Sequence, residues 1–462
     1  MWKNDMNKPS NKKNIVWVAL YPQFSAYNAM FPVAKELERQ DYRVVFVGNS
    51  TFSHYVNEAG FEYRILEPEK ERLDKLHERH DRELAAMEIK SRFAEFRIKA
   101  RLNLEKNLEV GDHLQEKVAN LLGELPPNLV LSDCLLPQNA IPFLKADIPI
   151  VGVSTCLSSV FSWRTPPVFS KVVPYRKLTA VNRIRNLAAW LKLGLRRLKE
   201  RIMFKAYFVV ALGVKGLREG KPIQNAGGNV RLGEYGDRLD VPELVMAPRE
   251  LDFPQVAKGV VRHYAGACVD ASRPNDPFDW SRVDSEKKLI YCSLGSHSEW
   301  AKDNWLRLIA SLTEAMALFN DTQLIIQVSD EKDREAIEPV PSNVIVVDWV
   351  PQLEVLEKAD LFITHGGLSS VREAIYFGVP MIVFPYGMDQ PGNAARIVYH
   401  RLGLRGDISS VDAGKAAQLI EKAMTDTGIQ DNMKRMRAVF HQQTSYRDTV
   451  SFLETYMKTN QD

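Results

Sequence analysis

Along this chain, apolar runs of strand length alternate with stretches whose apolar positions recur every three or four residues. Asn14 to Leu20 (N-I-V-W-V-A-L) is nearly continuously apolar, the pattern of a strand buried on both faces of a parallel sheet. Tyr21 to Asn28 reads as a loop. From Ala29 to Gln40, Met30, Val33, Ala34 and Leu37 share one face, which predicts a helix, and Arg43 to Val47 is the next strand. Strand, loop, helix, strand opens a doubly wound α/β domain. Asn128 to Ser132, ending at Asp133, and Pro149 to Ser154 extend it. Between them, Glu67 to Leu122 is strongly charged and reads as a helical excursion. It is either solvated, or its apolar face walls a ligand pocket.

A second α/β pattern begins at Lys288. Strands are predicted at Lys288–Leu294, Gln323–Val328, Val344–Val347, Leu361–Thr364 and Met381–Phe384. Helices are predicted at Trp305–Phe319, at Leu368–Tyr376 and from Ala416 onward. The expected division is a first domain over 1–265, a linker rich in Pro, Asp and Ser over 266–287, a second domain over 288–440, and a final helix over 441–462.

Lys171 to Lys205 carries eleven Lys or Arg and a single Glu, with Leu187, Trp190, Leu191, Leu195 and Leu198 interleaved at helical spacing. Such a stretch either lies on an anionic membrane surface or packs its leucine face as an ordinary surface helix.

Composition narrows the classes. The 462 residues suffice for two or three domains, and 45% hydrophobic content supplies a core for each. A net charge of only +3 argues against a nucleic-acid or other general polyanion binder. Cys134, Cys156, Cys268 and Cys292 are scattered without CxxC spacing, as in a reduced cytosolic protein without structural zinc. The polar first ten residues give no signal peptide, and no apolar run approaches the ~20 residues that span a bilayer. The expected location is cytoplasmic, or peripheral at a membrane surface. The first loop lacks G-x-G-x-x-G, which argues against a dinucleotide oxidoreductase.

The candidate chemistry is concentrated between Trp349 and Asn393. Trp349, just after a strand, is either a core residue or a flat apolar surface for a base. Thr364-His365-Gly366-Gly367 closes a buried strand and leads into a helix, whose N-terminus offers free N–H groups and a favourable dipole to a phosphate. The glycines let the backbone approach, and His365, Ser369 and Ser370 add side-chain donors. Glu373 follows Ser370 by three residues, which is also the spacing of a capping box. Asp389-Gln390, in a loop after the Met381–Phe384 strand, suits sugar hydroxyls.

In order, W-V-P-Q-L, F-I-T-H-G-G-L-S-S-V-R-E-A, G-V-P and P-Y-G-M-D-Q-P-G-N resemble the nucleotide-sugar signature of the family 1 glycosyltransferases, inverting UDP-sugar-dependent enzymes. That resemblance implies the α/β GT-B fold: two Rossmann-like doubly wound domains facing a cleft, with the last segment, near Val450 to Met457, crossing back to the first. It implies that Trp349 stacks the uracil and Gln352 contacts the nucleoside. Ser296, in a Ser293-Leu294-Gly295-Ser296 loop, would face the phosphates with His365, Gly367, Ser369 and Ser370. Glu373 would hold the ribose, and Asp389 and Gln390 the hexose. The chain contains no Asp-x-Asp triplet, which fits a metal-independent enzyme with a UDP-sugar as donor substrate and no cofactor.

In that family a histidine after the first strand deprotonates the acceptor, held by an aspartate that ends a later strand. Phe24-Ser25-Ala26-Tyr27-Asn28-Ala29-Met30, running on to Ala34-Lys35-Glu36-Leu37, aligns without a gap to the F-S-H-F-x-A-M…A-x-E-L form of the carotenoid (zeaxanthin-type) glucosyltransferases. The histidine position falls on Ala26, and the partner position on Asp133. The subgroup and the basic segment point to a hydrophobic small-molecule, lipid or carotenoid-like acceptor. Three readings of Ala26 stay open: a point substitution in an enzyme, a natural enzyme with another base such as Asp133 through a water, or a catalytically silent homologue that binds nucleotide-sugar or activates a partner transferase. A nucleotide-sugar 2-epimerase of the same fold is a further option, against which T-H-G-G-L-S-S…D-Q favours transfer.

Overall fold

The structure, a computed structural model, describes residues 14–66, 78, 82, 114–134, 140, 143–144, 146–157, 161, 163–174, 179–212, 230–232, 237–254, 261–273, 277–295, 302–337 and 339–457. Its first sheet is built from β1 (Ile15–Ala19), β2 (Arg43–Gly48), β3 (Glu62–Ile65), β4 (Leu129–Asp133) and β5 (Ile150–Ser154). A two-stranded antiparallel ribbon, β6 (Val230–Leu232) and β7 (Asp237–Leu239), forms a separate small sheet. Two short strands, β8 (Glu243–Val245) and β9 (Arg262–Tyr264), complete the first sheet in the order β3-β2-β1-β4-β5-β8-β9. The second sheet comprises β10 (Lys288–Ser293), β11 (Thr322–Gln327), β12 (Val344–Val347), β13 (Leu361–Thr364), β14 (Met381–Val383) and β15 (Gly403–Arg405), ordered β12-β11-β10-β13-β14-β15. Every pairing within both large sheets is parallel. The chain therefore has two doubly wound α/β units of the GT-B kind.

The apolar runs become strands because both faces of each sheet are covered. Val16 and Val18 join one core with Tyr27, Met30 and Phe46, while Trp17, pointing the other way, packs edge-on against Phe143 at 5.8 Å. In the second sheet Tyr291 stacks on Phe362, its paired neighbour, at 5.0 Å. Tyr446, Val450 and Leu453, the last two from the helix Arg447–Glu454, lie in the core of the first sheet, and Glu454 accepts from the Tyr42 hydroxyl at 2.6 Å.

Two local expectations change, and two strands are added. Tyr21–Asn28 is not all loop: the helix begins at Phe24 and runs to Arg39, so Ala26 sits in its first turn. Burial of Tyr27, stacked on Phe52 at 4.8 Å, draws that turn into the helix against the loop-forming tendency of Ser25 and Asn28. Pro32 is tolerated within the same helix. The segment from Glu243 adds β8 and β9 to the first sheet. The basic stretch forms one helix, Ala180–Leu212, but its leucine face is not packed: Leu191, Leu195 and Leu198 are exposed. Of the expected excursion over Glu67 to Leu122, residues 114–124 are helical, and most of the rest lies outside the described residues.

The two sheets meet through a shared core in which Leu157, Val245, Ala247 and Leu251 join Tyr291, Phe362 and Met381. Gly392 is part of that contact. A Cβ there would fall 2.3 Å from the Val168 carbonyl oxygen, so no larger residue fits without parting the two halves. Among the described residues, no helix is long and apolar enough to cross a membrane.

Candidate functional site

In an open parallel sheet, ligands bind beyond the carboxyl ends of the strands where the winding direction reverses. The first sheet reverses between β1 and β4, and the second between β10 and β13. The predicted residues fall at these two places. Asp133 ends β4, and Ala26 lies on the helix that follows β1. Ser293-Leu294-Gly295 follows β10, and His365-Gly366-Gly367 follows β13.

At the second crevice the imidazole of His365 lies between two glycines. A Cβ on Gly295 would approach its Cε1 to 2.7 Å, and one on Gly367 would approach its Nε2 to 2.6 Å. The ring also stacks on Tyr386 at 5.9 Å, and the Tyr386 hydroxyl donates to the Leu294 carbonyl at 3.3 Å. Gly367 is the N-cap of the helix Leu368–Phe377 and has no side chain to cap it. The N–H groups of Leu368, Ser369 and Ser370 occupy the first turn, where the helix supplies no acceptor. Ser369 and Ser370 are half-buried on this turn, and the Ser369 hydroxyl accepts from Arg372 at 3.4 Å. The His365 ring thus lies beside the open helix N-terminus at Gly367, with Ser369 and Ser370 on the first turn, donor types that suit a diphosphate.

Glu373 is buried one turn further along. The capping-box alternative fails, because Ser370 lies inside the helix rather than at its N-cap. Instead the Glu373 carboxylate accepts from Arg273 at 2.9 Å on one oxygen and from the Gln352 amide on the other. The Gln352 carbonyl in turn accepts from the buried Tyr291 hydroxyl at 3.3 Å. A carboxylate offers about four lone-pair sites, so two remain for a diol. Trp349 is 60% exposed, which removes the core alternative for it and leaves an open indole face just ahead of the Gln352–Lys358 helix.

Asp389 and Gln390 begin the helix Gln390–His400. Gln390 turns its carbonyl oxygen onto the Tyr386 and Gly387 N–H groups at 2.9 and 3.0 Å, which fixes the loop, while its Nε2 makes no hydrogen bond among the described residues. Asp389 accepts from Asn393 at 2.8 Å, and Asn393 also donates to the Gly366 carbonyl at 2.9 Å. Burial pushes the Asp389 carboxyl above its ordinary range, partly offset by the Asn393 amide. Ser296 lies outside the described residues.

At the first crevice Asp133 is 2% exposed, and one of its oxygens accepts from the Tyr21 N–H at 3.2 Å. Ala26 is 3% exposed and belongs to the core around Tyr27 and Met30. Tyr27 is no substitute base, since burial, with the Asp133 charge adding to it, raises its phenol. His54 stands exposed and pairs with Glu58 at 3.2 Å, while His77, His80 and His113 lie outside the described residues. Burial also pushes the Cys268 and Cys292 thiols up, to about 11 and about 12, so neither is a nucleophile at neutral pH.

Sequence reasoning missed three residues. Arg273 reaches Glu373 from the linker. Its neighbour Asp270 accepts from Lys35 of the first half at 2.6 Å, so this short segment ties the two crevices together. Burial alone would raise the Asp270 carboxyl, but Lys35 and Ser272 outweigh it and hold the group below its ordinary value. Arg372, buried, donates to the carbonyls of Met246 and Cys268 at 2.9 and 3.1 Å. Asn393 links the His365-Gly366-Gly367 loop to Asp389. Arg372 and Asn393 stand inside the motif, whereas nothing in the sequence marks Arg273.

Residues 241–453 match the family described as UDP-glucoronosyl and UDP-glucosyl transferase. Zeaxanthin glucosyltransferase of Pantoea ananas is 28% identical over 213 residues, 46% of this chain and 48% of that protein. NDP-glycosyltransferase YjiC of Bacillus subtilis (strain 168) is 33% identical over 175 residues, 37% and 43% of the two chains. The matched stretch thus spans about half the length of these curated relatives or less. The solved glycotransferase of kitacinnamycin superposes with a TM-score of 0.63 at 22% identity, over 96% of this chain and 99% of its own. The spinosyn rhamnosyltransferase SpnG complexed with thymidine diphosphate gives 0.59 at 14%, over 95% and 100%. At such identities these two establish the fold alone. With the fold set by the whole chain and the signature by its second half, residues 241–453 match the model of the UDP-glucoronosyl and UDP-glucosyl transferase family.

Proposed function

We propose that this protein is an inverting, metal-independent glycosyltransferase that moves a hexose from a UDP-sugar, UDP-glucose before others, to a hydrophobic small-molecule or lipid acceptor. The observation that carries this reading is the second crevice: an exposed indole, a buried carboxylate held by Arg273 and Gln352, and an imidazole packed beside a helix N-terminus, the group types that base, ribose and diphosphate require. The names of the relatives support it, since they include a zeaxanthin glucosyltransferase and a rhamnosyltransferase complexed with thymidine diphosphate. In this mechanism the helix N-terminus and His365 stabilise the departing diphosphate as its charge grows. Asp389 and the Gln390 amide orient the hexose.

Proton removal needs another group here, because the position that the resemblance gives to the base holds Ala26. Asp133, anchored through the Tyr21 N–H, takes the acceptor proton through one water. The expected result is product formation by the unaltered chain with UDP-glucose and a panel of hydrophobic acceptors, read by mass spectrometry. Asp133→Asn then lowers kcat by about 100-fold or more. Ala26→His, run alongside, gives no gain, because it forces an imidazole into a filled core. Turnover by Ala26→His alone would instead mark a disabled enzyme whose base belongs at residue 26. The buried methyl of Ala26 also favours a second reading, a silent homologue, for which UDP binding without turnover in either protein is the signature.

The Asp389 shift adds a pH dependence. Sugar hydroxyls donate to its anion and draw its pKa back down. Free protein therefore holds more protons than bound protein above the ordinary carboxylate value of about 4, and donor affinity rises with pH across that window. Calorimetric titration with UDP-glucose, compared with UDP alone, should show this rise for the sugar only. An equal rise for both would place the effect on the phosphates.

A further inference from the structure

The helix Ala180–Leu212 turns two asparagines inward, while four of the five leucines between Leu187 and Leu198 face water. Asn182 and Asn186 are 0% exposed. Asn186 donates to the Trp163 carbonyl at 3.1 Å, the Trp190 indole donates to the Thr165 carbonyl at 2.8 Å, and Leu193 completes the inward face. On the far side Ile184, Leu187, Leu191, Leu195, Leu198 and Ile202 are 40–66% exposed. At about 100° per residue, the stripe they form is centred roughly 160° from the buried face. A continuous apolar stripe of this length on the surface marks an interaction site, whereas scattered single residues would not.

Charge indicates what covers it. From Ala180 to Lys199 there are six basic residues and no acidic one, although the whole chain carries a net charge of only +3. Arg185, Lys192 and Lys199 run along one border of the stripe, and Arg183 lies on the other. A second copy of the helix would set these cationic borders against each other. An anionic bilayer offers both things the face lacks, an apolar layer and negative charge at its edge. Beside the helix, Phe161 and Trp163 are exposed, with Phe161 edge-on to Trp190 at 5.5 Å and Arg183 over the Trp163 ring at 5.7 Å. Exposed aromatic and guanidinium groups side by side suit the headgroup level.

We propose that this helix lies in the headgroup plane of an anionic lipid bilayer, with its leucine stripe in the acyl boundary and its arginines and lysines on lipid phosphates. None of these residues belongs to the proposed donor site, so the inference holds whether or not the protein transfers sugar. The test is flotation of the full chain with vesicles of phosphatidylcholine alone or with about a third phosphatidylglycerol. The bound fraction should be at least about tenfold larger with phosphatidylglycerol and should fall in ~0.5 M NaCl. A Leu191→Gln, Leu195→Gln, Leu198→Gln variant should lose binding by at least about tenfold with unchanged circular dichroism and Tm, because those side chains already face water. Lys192→Glu with Lys199→Glu should lose the preference for anionic vesicles. Failure of the unaltered chain to float with phosphatidylglycerol overturns the proposal, as does undiminished flotation of the triple-glutamine variant. A dimer that the same variant dissociates, with no vesicle binding, overturns it in favour of a second copy.

Discussion

Glu373→Ala should abolish the thermal stabilisation that UDP or UDP-glucose confers. A ligand present at 100 times its Kd stabilises the folded state by about 2.7 kcal/mol, a shift easily read in a melting curve. The glutamate is buried, and both its oxygens are already engaged, by Arg273 and Gln352. Its removal deletes the proposed ribose acceptor and releases the two groups that hold it in place. The free protein should also melt lower, because the Arg273 guanidinium, itself largely buried, loses its counter-charge. Arg273→Ala separates the two effects: it lowers the free-protein Tm while leaving the carboxylate to bind donor, with weakened affinity. His365→Ala should likewise abolish donor stabilisation, through loss of a phosphate donor and of the ring that fills the gap between Gly295 and Gly367. If Glu373→Ala and His365→Ala both keep full stabilisation, the donor does not bind in this crevice.

What could be read from the sequence follows from how local each signal is. Trp349 to Asn393 spans about one βαβ unit, so residue order alone puts the base, phosphate and sugar candidates along one sheet edge. Strand positions such as Val344–Val347 and Leu361–Thr364 were legible for the same reason, being apolar runs bounded by polar turns. Arg273 was not, because its role exists only once the linker is laid against a helix 100 residues further on. The start of the first helix was misread because Ser25 and Asn28 favour loops, and only the aromatic contacts of Tyr27 outweigh them. The basic helix shows a deeper limit. Its leucine spacing was plain, but a period of 3.6 says which residues share a face and not which face is covered. The hydrogen bonds of Asn186 and Trp190 to residues near Thr165 decide that, and they turn the leucines outward.

Arg396→Ala should be the most destabilising single change among those considered, costing about 3–5 kcal/mol in urea denaturation. Arg396 and Asp252 form an ion pair at 2.6 Å with both side chains 1% exposed. The guanidinium also donates to the carbonyls of Leu157 and Gly392 at 2.8 and 3.1 Å and lies over the Phe253 ring at 4.4 Å. Asp252 accepts in addition from the Phe253 N–H at 2.7 Å and the Tyr264 hydroxyl at 2.8 Å. Burial, with the Asp252 charge adding to it, pushes that phenol up to about 12, so it remains a donor through the neutral range. Without Arg396 the carboxylate is left as a buried charge between the two halves of the molecule, with two neutral donors in place of a cation. The cost arises from that stranded charge more than from the lost contact. Replacing both partners, Asp252→Leu with Arg396→Met, should therefore recover most of the loss, since desolvating the pair offsets much of its attraction. A double variant as unstable as Arg396→Ala would instead mean that the hydrogen bonds to Leu157 and Gly392 hold the two halves together, independently of the ion pair.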